Sequence, residues 1–127
     1  MVAPLIAVIA GLMVLTGAIH SLLGEARLIA PLLRSRQGVL ASDQARFLLR
    51  LTWHGFSALL LILALILPAL VWWPDAVFQV ALGAVGATFL IFGLVDIVAT
   101  RGRHIGWPFL TAIGVLALTA LAVARAG

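Results

Sequence analysis

The chain contains no cysteine, which excludes disulfides, thiolate metal sites, CxxC redox chemistry and cysteine nucleophiles. Lysine is absent as well: all eight basic residues are arginine, and a GC-rich bacterial coding bias accounts for this as readily as any physical role. Charge of either sign is scarce. Only 9% of the 127 residues are charged and 65% are hydrophobic, with a mean hydropathy of +1.26. A soluble domain carries about a quarter charged residues, and a water-soluble core of this size cannot hide so much apolar surface. No polar segment is long enough for a second, soluble domain, so residues 1–127 read as a single transmembrane domain. Positive charge is also missing from the first 20 residues. A secretory signal needs a basic region ahead of its apolar run, so the first helix is expected to remain in the mature protein.

Crossing roughly 30 Å of hydrocarbon takes about 20 mostly apolar residues. Four segments meet that length, at approximately 3–23, 48–73, 76–99 and 105–125. The first continues to about residue 34 as an interfacial extension, because Glu25 to Arg34 keeps an apolar stripe opposite its charges; Pro31 is expected to bend or end it. Ser42, followed by Asp43, Gln44 and Ala45, offers an N-cap for helix two. The links Trp72–Asp75 and Thr100–Arg103 are very short, so they join antiparallel neighbours. The expected fold class is an all-α membrane protein, a four-transmembrane-helix up-down-up-down bundle.

Even-numbered crossings place the first and third loops on one side. Arg27, Arg34, Arg36, Arg46, Arg50, Arg101 and Arg103 fall there, and only Arg125 falls on the other. This asymmetry predicts cytoplasmic charged loops and extracytoplasmic termini in a multi-pass protein of the bacterial inner membrane. A sequence pI near 11.8 suggests nucleic acid in a soluble chain. Here the arginines flank apolar spans, and the lipid bilayer with its anionic headgroups is the expected partner instead of nucleic acid. Glycine-bearing helix faces also suit a homo-oligomer.

The residues capable of chemistry gather toward the cytoplasmic side. His20 and Glu25 lie near the end of helix one, His54 inside the start of helix two, Asp96 near the end of helix three and His104 at the start of helix four. Ionisable groups within a membrane are costly and usually face the protein interior. Helical spacing gathers Thr16, Gly17, His20, Gly24 and Arg27 into one stripe, and Arg50, His54 and Ser57 into another. Gln79, Gly83, Gly86, Gly93 and Asp96 form a third, and His104, Trp107, Thr111 and Gly114 a fourth. At 100° per residue, Glu25 stands about 140° from His20, so an α-helix does not put the two on one face.

Each residue has a plain structural reading beside the functional one. His54 reads as a neutral imidazole bonded across the bundle to Ser57 or a carbonyl, and His104 as interfacial and solvated. Asp96 is expected to pair with Arg101 or Arg50, and Glu25 with Arg27 or Arg50, making Arg50, Arg101 and Arg103 structural ion-pair residues. Trp53 and Trp107 read as interfacial anchors. The two halves are weakly alike: an acid closes helices one and three, and an Arg/His/Trp set opens helices two and four.

Three chemistries suit this polar layer. A divalent metal fits imidazole and carboxylate donors, with His20, His54, His104, Glu25 and Asp96 as the candidate ligands, all on different helices except His20 and Glu25. A haem b fits if His20 and His54 face each other as axial ligands of an electron-transfer protein. A titrating imidazole or carboxylate fits proton-linked transport. The leading expectation is a His/acid/Arg layer that binds or conducts a small cation, a proton or a metal ion. The alternatives are the haem protein and a structural or accessory subunit without a site. Hydrolase and transferase chemistry lacks a nucleophile elbow or triad spacing, and no catalytic residue is assigned.

The segments His20-Ser-Leu-Leu-Gly-Glu25, Arg46-Phe-Leu-Leu-Arg50 through Trp53-His54, and Arg101-Gly-Arg-His104-Ile-Gly-Trp107-Pro108 together resemble those of small, uncharacterised bacterial four-helix integral membrane proteins. That resemblance spans most of the chain. It implies an inner-membrane protein and directs attention to His20, Glu25, His54 and His104, without bringing an activity. Helix one lacks the mid-membrane Glu of small multidrug resistance proteins.

Overall fold

The computed structural model describes Val2–Ala126, which is all-α. Four helices are long and apolar enough to cross a membrane. They are α1 (Val2–Arg34), α2 (Asp43–Trp72), α3 (Val77–Thr100) and α4 (Trp107–Ala126). Helix α2 begins at Asp43, earlier than its apolar span, because Ser42 caps it: the Ala45 N–H donates to Ser42 Oγ at 3.4 Å. Asp43 then sits in the first turn, where a negative charge favours the helix dipole. Pro31 does not end α1. It lies just past the π-wound stretch His20–Ile29, so its missing N–H removes one bond from the ladder while the chain stays helical to Arg34.

By its contacts the chain divides into two compact units, Met1–Ala64 and Leu65–Gly127. In the first, α1 packs on the opening half of α2 through small residues. A Cβ on Gly17 would stand 3.5 Å from the Ser57 carbonyl, and one on Gly24 would stand 2.6 Å from Trp53 Cζ2, so the indole occupies the space a side chain would need.

The second unit is an antiparallel hairpin of α3 and α4. Gly83 faces Leu121, Gly86 faces Leu118, Leu90 faces Gly114 and Gly93 faces Thr111. Along each helix these positions step by threes and fours, the pattern of a left-handed crossing near about +20°. The glycines let the backbones approach: a Cβ on Gly114 would come within 2.5 Å of the Leu90 nitrogen. The hairpin closes with a Schellman pattern, in which Gly102 N–H donates to Ile97 O at 2.9 Å and Arg101 N–H to Val98 O at 3.4 Å. Arg101 takes the left-handed conformation there (φ 53°). Leu22, Val98 and Leu116 turn outward and remain more than two-thirds exposed, at 72%, 78% and 68%. Such surface is suited to lipid.

Candidate functional site

Residues His20–Ile29 of α1 are wound as a π-helix, with the Ala30 N–H bonded to the Glu25 carbonyl five residues back. Such windings are rare and occur often at functional sites. An i→i+5 bond places residues five apart about one turn from each other, so Glu25 lies nearly above His20 rather than well around the helix. The angular separation expected of an α-helix therefore does not apply, and His20, Ser21, Gly24 and Glu25 all reach α2.

Their partners form one continuous network. His20 stacks on Trp53, with ring centroids 4.0 Å apart and planes 15° apart. The pair is locked by reciprocal bonds: Trp53 Nε1 donates to the His20 carbonyl at 3.1 Å, and His20 Nε2 lies 3.2 Å from the Trp53 carbonyl. Trp53 is thus bound into the contact between α1 and α2 rather than serving only as an interfacial anchor. Ser21 Oγ lies 2.9 Å from His54 Nδ1 and 2.9 Å from the buried Ser57 Oγ. His54 Nε2 faces Glu25 Oε2 at 3.5 Å, an electrostatic contact too long for a strong hydrogen bond. The other carboxylate oxygen of Glu25 binds Arg50 at 2.7 Å. Arg50 is its ion-pair partner, and Arg27 is not.

In the second unit Asp96 is fully buried, 0% exposed, on the α3 seam. Its Oδ2 lies 2.6 Å from His104 Nδ1, and Oδ1 has no partner among the described residues. Asp96 thus pairs with His104, whereas arginine was expected. The reason is the turn: the Schellman closure carries the chain back so that His104 reaches α3, while Arg101 and Arg103 point outward and make no ion pair among the described residues. His104 is accordingly half-buried rather than solvated. A Cβ on Gly106 would overlap His104 Cε1, so glycine there leaves the ring its position. Trp107 Nε1 donates to the Gly102 carbonyl at 3.2 Å, and Thr100 Oγ1 to the Asp96 carbonyl at 2.7 Å.

No group of three or more His, Asp or Glu side chains among the described residues is arranged to hold a metal ion, so His20, His54, His104, Glu25 and Asp96 do not form a coordination sphere. His20 and His54, the candidate haem ligands, each have one ring nitrogen bonded within the first unit: His54 Nδ1 to Ser21 and His20 Nε2 to the Trp53 carbonyl. Sequence reasoning missed Ser21 as the link between His54 and Ser57. Its signal was its place four residues after Gly17 and three before Gly24, on the small-residue stripe of helix one. No family model, curated protein or solved structure matches the chain.

Proposed function

We propose that this is a proton-handling protein of the bacterial inner membrane, with its charged loops and both carboxylate–imidazole pairs toward the cytoplasm and its termini outside. The observation that carries the reading is the chain Glu25–His54–Ser21–Ser57, which runs from a part-exposed carboxylate to a buried hydroxyl. Imidazole takes up and releases protons near neutral pH, and a hydroxyl both donates and accepts, so a hydrogen can pass along the bonded members His54, Ser21 and Ser57, with Glu25 Oε2 3.5 Å from His54 and free of any other hydrogen bond among the described residues. Arg50 offsets the charge of Glu25 and holds the carboxylate where His54 can face it.

The second unit supports the same chemistry with fewer parts. Asp96 Oδ2 and His104 Nδ1 stand 2.6 Å apart, within the reach of one hydrogen bond between carboxylate and imidazole. Seven of eight arginines on one side support the orientation. Proton flux into proteoliposomes carrying a pH gradient, read with an entrapped pH dye, tests the proposal. Flux above empty vesicles, reduced in Glu25→Gln and in Asp96→Asn, supports it. Unchanged flux in both variants, or none above empty vesicles, leaves the network a structural tie within an accessory protein.

A further inference from the structure

Where the end of α1, the linker and the start of α2 meet, the first unit carries an open cavity of about 530 Å³. Four of its lining residues are arginines, Arg34, Arg36, Arg46 and Arg50, and Asp43 is the only acid among them. Two of the guanidiniums are committed within the protein. Arg46 binds Asp43 and the carbonyls of Leu40 (2.7 Å) and Ala41 (3.1 Å), which fastens the linker to α2. Arg50 binds Glu25.

The other two are not neutralised. Arg34 spends only its Nε, on the Ala30 carbonyl at 3.2 Å, and neither Arg34 nor Arg36 faces a carboxylate among the described residues. Gathering like charges around one cavity is unfavourable unless an anion offsets them, and planar guanidiniums with free Nη donors match phosphate oxygens in pairs. The cavity also has an apolar wall, formed by the buried Leu33 and by Phe47. A cationic rim beside an apolar wall suits an amphiphilic ligand, and the volume lies within the range of small-molecule sites.

We infer that this cavity binds a phosphate-bearing anion, with Arg34 and Arg36 gripping the phosphate and Leu33 and Phe47 covering the adjoining apolar part. A phospholipid headgroup and a soluble phosphate compound offer the same group, and the test separates them. The full-length protein is titrated with inorganic phosphate by calorimetry in detergent. In parallel it is extracted from vesicles of phosphatidylcholine doped with phosphatidylglycerol and examined by native mass spectrometry.

Phosphatidylglycerol enriched on the wild type over its share of the vesicle, without phosphate binding, identifies a lipid site. Saturable phosphate binding identifies a soluble ligand. In either case Arg34→Gln/Arg36→Gln is expected to weaken binding about tenfold or more through the lost charge-assisted hydrogen bonds. Arg125→Gln, far along the chain from the cavity, retains it. Arg50 is left intact because it also holds Glu25. Binding of neither probe, or equal binding by the double variant, overturns the inference.

Discussion

Asp96 and His104 meet at 2.6 Å across the closing turn of the α3–α4 hairpin, with the carboxyl group entirely sealed from the surface. A buried carboxylate with a single partner depends on that partner. His104→Ala is therefore expected to destabilise the protein by about 3 kcal/mol or more, since it leaves a bare charge in an apolar seam. Adding Asp96→Asn should recover much of the loss by removing the charge. Thermal unfolding in detergent of the two single variants and the double variant measures the coupling.

The α3–α4 seam permits no extra atoms at Gly93. A Cβ on Gly93 would lie 2.7 Å from the Thr111 backbone nitrogen, which cannot swing aside as a side-chain tip can. Gly93→Ala is expected to part the helices and cost about 1–3 kcal/mol. Gly11→Ala meets nothing within 4 Å and should be neutral in the same unfolding assay.

Arg101 holds a left-handed conformation, where a Cβ is crowded, and makes no ion pair among the described residues. Glycine at this position keeps the Schellman turn without the steric cost. Arg101→Gly should raise stability by up to about 1 kcal/mol, read as a higher unfolding temperature. A fall would mean that the guanidinium has a structural partner.

Much of the second unit was legible in the sequence. Gly83, Gly86, Gly93 and Asp96 on α3, and Thr111 and Gly114 on α4, stand at helical spacing, and packing between helices depends on that spacing and on side-chain size. Partner choice was less legible. Asp96 has arginine close by in sequence, but the reversal at Arg101 and Gly102 brings the imidazole of His104 to it instead.

The π-winding of His20–Ile29 left no mark in the residue pattern. It arises where α1 meets Trp53, His54 and Arg50 of α2, a tertiary circumstance that helical periodicity does not report. Ser21, four residues after Gly17, is on the face of α1 that already meets Ser57. Deleting Ala26 is expected to restore α-helical register and separate Glu25 from Arg50 and His54. Cross-linking of a Glu25→Cys/Arg50→Cys pair, efficient in the full-length chain and lost in the deletion, would show it.

A proton-handling role requires the two carboxylate–imidazole pairs to exchange protons. Solid-state nuclear magnetic resonance of ring-labelled histidines in lipid bilayers tests it most directly. If they do, the His54 and His104 ring-nitrogen signals change protonation pattern as the medium is acidified. Glu25→Gln should alter the response of His54 alone, and Asp96→Asn that of His104 alone. Ring signals that stay fixed over every pH at which the protein remains folded would contradict the account.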